Sequence, residues 1–360
     1  MKIFKYVFFL LLILIIGGSI YIATLEGNYR IEKQKTIAAP PEMVFNQINQ
    51  LQNWEDWAVW LENKSEVGIT YEEITKGQDA KMSWTGTSHL DGSLQNTAVY
   101  PTDSLTQKLA VNNSSAPNNN IINWKVEASA TGTNLQYTIS GERGFTEKAM
   151  QLLQDSTFSQ KLEVAFTQSL DKLEKQVQEK MAVYSINVDG VTQHSGGFYM
   201  YLTTAARNKP EVLRKKMLEM YPQVSSFMEE NNIQKNGSPF LLYNEINKNS
   251  GTVIISACIP TSNKVVTPVD SDVLNGFMES KKVLKTTLKG NYKNMEEAWQ
   301  TAENYIKNNS LQKLNNAQSF VVFVSDSRTE VNPANWVTEI YIPVKEIATE
   351  TASSTELLSL

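Results

Sequence analysis

An uncharged apolar run near the start of the chain constrains its fold more than any other feature. Residues 6–25, YVFFLLLILIIGGSIYIATL, carry no charge, and about 20 such residues form a helix that crosses a bilayer. A cleaved signal sequence is the alternative, but its apolar region is shorter and ends in small residues. The bulky Tyr21 precedes Ile22 and Ala23 near the cleavage point. This favours a retained transmembrane anchor over residues 1–27.

The charges beside this run predict its orientation. Lys2 and Lys5 precede it, and positive residues tend to stay on the cytoplasmic side of a membrane helix. We therefore expect a single-pass membrane protein with a cytoplasmic N-terminus and its domains on the outer, periplasmic side. Arg30, Lys33 and Lys35 follow the run and oppose this orientation.

Composition and missing motifs limit the classes of function. The net charge is −5, whereas nucleic-acid-binding proteins usually carry a basic patch, so no nucleic-acid partner is expected. One cysteine, Cys258, and two histidines, His89 and His194, are too few for a usual zinc site. No GxGxxG, P-loop or GxSxG motif occurs, and these mark common nucleotide and hydrolase sites. We therefore expect no metal, no cofactor, and binding rather than catalysis.

The segment from 28 to 181 begins with a strand, a helix and many short strands. The strand YRIEKQKTIAA ends at a Pro-Pro pair, and Pro41 suits the first position of a helix. From residue 68 to residue 140, alternating runs broken by Gly, Asn, Asp and Pro predict an antiparallel meander. The stretch NNSSAPNNN at 112–120 is predicted to be a long solvated loop.

A long amphipathic helix is predicted to close this segment, from Glu147 to Met181. Its apolar residues step by three or four positions and form one buried stripe, namely Leu162, Phe166, Leu170, Leu173 and Val177.

This order of elements, with the sequence TIAAPPEMVFNQINQLQNWEDWAVW, resembles the START-like group, also called SRPBCC or polyketide-cyclase-like proteins. The resemblance implies an α+β helix-grip fold, in which a curved sheet wraps the long helix around a cavity for a small hydrophobic ligand. Core filling and ligand contact require the same residue types, so both remain open for Trp54, Trp57, Trp60 and Trp84.

The segment from 182 to 347 contains an internal repeat. The first copy reads GGFYMYLTTAA, PEVLRKKMLEMYPQVSSFMEENN, SPFLLYNEI and GTVIISACIP, and the second reads KVLKTTLKG, NMEEAWQTAENYIKNN, SFVVFVSD and WVTEIYIPV. Each is a βαββ unit, and the last strands align so that Glu339 matches Ser256 and Tyr341 matches Cys258. Two such units bury their helices on one side of joined sheets and leave the other side available.

Three groups of residues give this segment a second resemblance. They are Gly237-x-Pro239-Phe240 with Tyr243, Lys289-Gly290-x-Tyr292 with Ala298-Trp299, and Trp336-x-Thr338-Glu339-Ile340-Tyr341-Ile342-Pro343. The segment resembles the GyrI-like, or effector-binding, domain of bacterial multidrug-responsive regulators. The resemblance implies a small-molecule site in which a carboxylate at the position of Glu339 meets cationic aromatic ligands. Those regulators carry a DNA-binding module where this chain has an anchor and a START-like segment, which argues against transcriptional function.

Glu339 is the central candidate residue because it lies in an apolar strand. Strand alternation places it on one face with Val337 and Tyr341, and places Ile340 and Ile342 on the helix-covered face. A carboxylate in apolar surroundings needs a partner or takes up a proton. That partner is either a ligand or a nearby lysine such as Lys285. The expected ligand-binding residues are Glu339, Tyr341, Tyr243, Ser256, Cys258 and Tyr201.

Three functions remain open at this point. The first is a membrane-anchored protein that binds small hydrophobic or cationic aromatic molecules. The second is a hydrolase in which Glu339 is a general base and Tyr243 or Tyr341 positions the substrate; no other catalytic residue is evident. The third is an interaction protein whose cavities are filled by side chains. His194 is expected to be solvated in a loop, and the tail, residues 348–360, is expected to be disordered.

Overall fold

The structure is a computed structural model, and it describes residues 2–62, 66–86, 91–113, 116–129, 131–152, 158–327 and 329–347. The predicted disordered tail and His89 lie outside the described residues. The chain divides into two compact units between Lys180 and Met181. Each unit is described by itself below.

The first helix, α1, spans Lys2–Thr24. Residues Ile3–Thr24 have a mean hydropathy of 2.5, and none of this stretch is buried. The helix is long and apolar enough to cross a membrane, as the sequence predicts, although a signal sequence meets the same criterion.

The remainder of the first unit is an antiparallel sheet with helices. Its strands are β1 (Asn28–Ile37), β2 (Val67–Tyr71), β3 (Lys81–Gly86), β4 (Asp91–Tyr100), β5 (Ser104–Asn113), β6 (Ala116–Ser129) and β7 (Gly132–Glu142), in the order β1-β7-β6-β5-β4-β3-β2. Its helices are α2 (Pro41–Asn49), α3 (Trp54–Trp57), α4 (Phe145–Gln151) and α5 (Phe158–Ala182). Pro41 opens α2, as predicted.

Helix α5 packs against this sheet through its apolar stripe. All five stripe residues are buried. The ring of Phe166 lies 6.2 Å from that of Trp124 on β6 and 5.6 Å from that of Tyr137 on β7, between ring centroids. Trp54 and Trp60 also contact Phe166. These aromatic side chains form the centre of the core of this unit.

Two predictions for the first unit are wrong in detail. Of the residues predicted as a solvated loop at 112–120, those at 112–113 and 116–120 instead extend β5 and β6, which pair from Ser104 with Lys125 to Asn113 with Ala116; residues 114 and 115 lie outside the described residues. The Asn and Pro residues of this stretch resemble a turn, and they masked the strand pattern in the sequence. Asn120 is nevertheless a strand residue that is fully buried and accepts a hydrogen bond from the Tyr29 hydroxyl. The single closing helix is two helices, because α4 ends at Gln151 and α5 begins at Phe158.

The second unit is a larger antiparallel sheet with two long helices. Its strands are β8 (Ser185–His194), β9 (Gly197–Arg207), β10 (Phe240–Asn247), β11 (Thr252–Thr261), β12 (Leu274–Met278), β13 (Lys281–Lys289), β14 (Leu311–Lys313), β15 (Phe320–Phe323) and β16 (Val337–Glu346). Its helices are α6 (Pro210–Glu230) and α7 (Met295–Asn308). The strand order is β12-β9-β11-β10-β15-β16-β13-β8, and β14 pairs with β16.

The predicted repeat is visible in the strand register. The elements β9, α6, β10 and β11 form the first βαββ repeat, and β13, α7, β15 and β16 form the second. Phe240 pairs with Cys258 in the first repeat, and Phe320 pairs with Tyr341 in the second repeat. The two repeats meet where β10 pairs with β15, with Leu241 opposite Val321. The register therefore agrees with the alignment of Tyr341 on Cys258.

Both long helices cover the same face of this sheet. Ile340 and Ile342 lie in a buried cluster with Ala298 and Ala302 of α7, and Met217 of α6 packs against this cluster. We call the opposite side of the sheet the helix-free face. Three strands of the second unit were not predicted from the sequence. They are β8 and β12, which lie at the two edges of the sheet, and the short β14.

Candidate functional site

Strand β16 places Glu339 and Tyr341 on the helix-free face. Tyr341 lies there in a buried cluster with Phe240, Leu242, Cys258 and Phe320, while Ile340 and Ile342 lie under the helices. The alternation predicted for this strand is thus present. It results from the period of two along a β-strand, which sends successive side chains to opposite faces.

The carboxylate of Glu339 has a partner for each oxygen. Lys285 Nζ lies 2.7 Å from Oε1, and the Tyr341 hydroxyl donates a hydrogen bond of 2.6 Å to Oε2. The Glu339 side chain is 20% exposed and that of Lys285 is 28% exposed. The sequence predicted either a ligand or Lys285 as the partner of Glu339. In the structure Lys285 is that partner.

A pair of stacked aromatic rings lies beside this ion pair. Tyr341 stacks on Phe320, with centroids 4.8 Å apart and an angle of 11° between planes. Lys285 Nζ lies 6.0 Å from the centroid of the Tyr341 ring, within range of a cation–π contact. Burial raises the pKa of the Tyr341 hydroxyl, and its hydrogen bond to Glu339 raises that pKa further. The hydroxyl therefore stays protonated and serves as a donor.

His194 belongs to this cluster, and the prediction that it is solvated in a loop is wrong. It is the last residue of β8, and its ring lies 4.8 Å from Phe320 and 5.3 Å from Tyr341. Its Nδ1 accepts a hydrogen bond from the Gly196 amide. Burial lowers the pKa of His194, and nearby Lys281 lowers it further, against an opposing effect of Glu339. The imidazole is therefore neutral at pH 7.

A second carboxylate, that of Asp189, lies on the same face and was not predicted. Asn187 donates to its Oδ1 at 2.5 Å, and Thr287 donates to its Oδ2 at 2.6 Å. Asp189 lies at a shift in register between β8 and β13, and Gly190 follows it with a φ of +99°. The Asp-Gly pair was the available signal, since it suits backbone irregularities of this kind.

The first repeat presents neutral groups at the corresponding positions. Ser256 is buried, and its hydroxyl bonds to Thr203 Oγ1 and Asn244 Nδ2, both at 2.7 Å. Cys258 is buried, and burial raises the pKa of its thiol, so it remains protonated. Tyr201 pairs with Cys258 across the strands. These three predicted residues lie on the helix-free face, where Cys258 and Tyr201 pack in the same cluster as Tyr341.

Tyr243 lies on the other face, which corrects its predicted place in the site. Its ring lies 5.5 Å from that of Trp299 on α7, and burial raises the pKa of its hydroxyl to about 12. Tyr243 directly follows Leu242, whose side chain lies on the helix-free face. Because successive side chains of a strand point to opposite faces, the Tyr243 side chain lies under the helices. A ligand on the helix-free face does not meet Tyr243.

The face is closely filled by its own side chains. Phe320 is 1% exposed, and Phe240, Leu242 and Cys258 are also buried. The accessible part of the face includes the exposed Asp189 and half-buried residues around this cluster, among them Tyr199, Tyr201, Lys285, Val322 and Glu339. A ligand would therefore contact the rim of the aromatic cluster and the Glu339–Lys285 pair.

A comparison with protein families finds a match within the second unit. Residues 201–345 match the family described as the GyrI-like small molecule binding domain. These residues form a GyrI-like domain. The GyrI-like match begins within β9 and ends within β16, so it includes Lys285, Glu339 and Tyr341. Strand β8, with Asp189 and His194, precedes it.

Solved structures similar to this chain are distant. Protein CV1439 from Chromobacterium violaceum is 14% identical, with 41% of this chain and 95% of that chain covered and a TM-score of 0.32. The C-terminal domain of EcmrR is 12% identical, with 46% and 99% covered and a TM-score of 0.39. EcmrR in a complex with DNA is 11% identical, with 57% and 87% covered and a TM-score of 0.39. No curated protein matches the chain.

Proposed function

We propose that the protein is a membrane-anchored small-molecule-binding protein whose GyrI-like domain receives cationic aromatic ligands at Glu339. The observation that carries this proposal is the half-buried Glu339 carboxylate, held by Tyr341 at the rim of an aromatic cluster. A carboxylate beside aromatic faces attracts a cation both by charge and by cation–π contact, which contributes about 0.5–2 kcal/mol. The GyrI-like match supports the small-molecule class of the ligand.

The position of the negative charge supports a cationic ligand. The side chains around the aromatic cluster carry two negative charges, from Glu339 and Asp189, and two positive charges, from Lys285 and from Lys281, which lies over a ring of the cluster. These charges sum to zero, so the attraction for a cation comes from the half-buried Glu339 carboxylate itself, which is screened less than in bulk water. The opposite end of the face, at Ser256 and Cys258, is neutral. This asymmetry suits a ligand with one positive end.

The membrane part of the proposal depends on α1. Its length and apolar composition suit a single span, and Lys2 and Lys5 favour a cytoplasmic N-terminus with the domains outside. Residues 28–181 are proposed to be the START-like domain that takes a small hydrophobic ligand. The packing of α5 against the antiparallel sheet supports that class of fold. The absence of a nucleic-acid partner remains a prediction from the acidic net charge.

Titration calorimetry with ethidium tests the ligand class. Ethidium is a planar aromatic cation, and phenanthridine is its uncharged ring system. Full-length protein in neutral detergent should bind ethidium more tightly than phenanthridine. Glu339→Gln keeps the side-chain shape and removes the charge, so ethidium binding should weaken by about 1–3 kcal/mol.

The matched control is Glu346→Gln, which removes a charge from the same strand. Glu346 is 73% exposed and pairs with Lys282, so its loss should leave ethidium binding unchanged. Equal weakening in both variants would show a general effect of net charge and would contradict the site. If Glu339 is a general base, binding survives in Glu339→Gln while turnover of a reactive substrate is lost.

A further inference from the structure

Lys285 makes in this structure the two contacts that a cationic aromatic ligand would make. Its ammonium lies 2.7 Å from the Glu339 carboxylate and 6.0 Å from the centroid of the Tyr341 ring. The first contact is an ion pair and the second is a cation–π contact. The place where a ligand cation would meet Glu339 is therefore already occupied by a side chain.

The twin repeat shows that the sheet does not need this ion pair. Tyr201 pairs with Cys258 on β11 as Lys285 pairs with Tyr341 on β16. The position of Glu339 is taken there by Ser256, whose hydroxyl bonds to the neutral side chains of Thr203 and Asn244. The same βαββ arrangement thus forms without a charged pair. The ion pair in the second repeat is therefore not a requirement of the βαββ arrangement itself.

We infer that Lys285 is a specificity-determining residue, a tethered cation that occupies the ligand position and must be displaced by any cation that binds Glu339. This inference rests on the proposed ligand site. A ligand with charge alone offers no more than the lysine does. A ligand with charge and a flat ring adds contact with the rim of the aromatic cluster, so it displaces Lys285. The exchange selects aromatic cations over simple amines.

Asp189 provides a second position for the displaced ammonium. Thr287 follows Lys285 by two positions on the same face of β13 and donates to the Asp189 carboxylate. Residues two apart in a strand are about 7 Å apart, a distance that a lysine side chain spans. Within the described parts of the chain, Asp189 has hydrogen-bond partners but no ion pair. Moving to Asp189 would keep Lys285 paired while Glu339 binds the ligand.

Ethidium titration of Lys285→Met in the full chain tests this inference. Methionine keeps much of the apolar length of lysine and removes its charge. Because the binding-competent state no longer requires displacement of a cation, affinity should rise about five- to tenfold. Lys282→Met is the matched control, since Lys282 lies on the same strand and pairs with exposed Glu346. It should leave affinity unchanged.

A second measurement does not depend on the folding of a variant. Acetylation of each lysine by an acetic acid N-hydroxysuccinimide ester is followed by peptide mass spectrometry, with and without ethidium. Movement of Lys285 from the half-buried Glu339 to the exposed Asp189 should raise its acetylation rate and leave that of Lys282 unchanged. A lower rate for Lys285 in the presence of ethidium would mean that the lysine stays in place beneath the ligand.

The outcomes separate this inference from the proposed function. One outcome is that wild type binds ethidium, that Glu339→Gln weakens this binding, and that Lys285→Met leaves the affinity unchanged or lowers it. In that case Lys285 does not compete with the ligand, and only the inference fails. If neither wild type nor Lys285→Met binds ethidium, the ligand site fails and the inference fails with it. Binding by Lys285→Met alone would mean that Lys285 blocks the site and is not displaced, which would contradict the exchange.

Discussion

At the scale of single residues, Glu339 is a partly buried charge with a full set of partners. Lys285 neutralises it and Tyr341 donates to it, so the apolar strand around it tolerates the charge. The sequence predicted the residue, its face and Lys285 as an alternative partner. It did not show that Tyr341, two positions away on the same strand, would be the second donor.

The pH dependence of stability should reveal the half-buried position of His194. Its pKa is lowered in the folded protein, so the unfolded chain binds its proton first as pH falls below about 6.5. Folding stability should therefore drop as pH decreases from about 6.5 through the lower folded pKa. Thermal melts of His194→Gln between pH 7.5 and 5 should show a smaller drop than wild type. An equal drop in both proteins would contradict the burial of this imidazole.

At the scale of elements, the sequence predicted those strands and helices whose apolar residues recur with a clear period, and it missed strands without such a period. The repeat and the faces of β16 follow from alternation of apolar residues. Strand β8, SINVDGVTQH, was missed because most of its residues are exposed and because the alternation begun by Ile186 and Val188 breaks at the following register shift. Tyr243 was assigned to the site because its motif carries the resemblance to the family, although its position along β10 sends it under the helices.

The element with the clearest energetic test is α5. Phe166 is fully buried among aromatic rings, so Phe166→Ala should reduce the free energy of unfolding by about 3–5 kcal/mol. Val164→Ala is the control, because Val164 lies on the same helix and is 55% exposed. Urea denaturation of both variants provides the comparison. A near-zero cost at Phe166 would place this stripe outside the core.

At the scale of the whole molecule, α1 is proposed to anchor the chain and the two compact units to fold beside the membrane. A chain that starts at Asn28 lacks this helix but keeps every strand of both sheets. It should stay monodisperse without detergent and keep the melting temperature of its folded units. Size-exclusion chromatography and thermal melts provide the measurement. Aggregation of the shortened chain, while the full chain is monodisperse in detergent, would show that the helix is part of the fold.

Photolabelling of the full chain by ethidium azide tests the ligand face most directly. Light activation attaches the dye to the residues that it contacts, and peptide mass spectrometry then locates it. We predict labels on β15 and β16, around Glu339, that decrease when excess ethidium competes and when Glu339 is replaced by Gln. Competable labels confined to α6, α7 or the first unit, with none on these strands, would contradict the account.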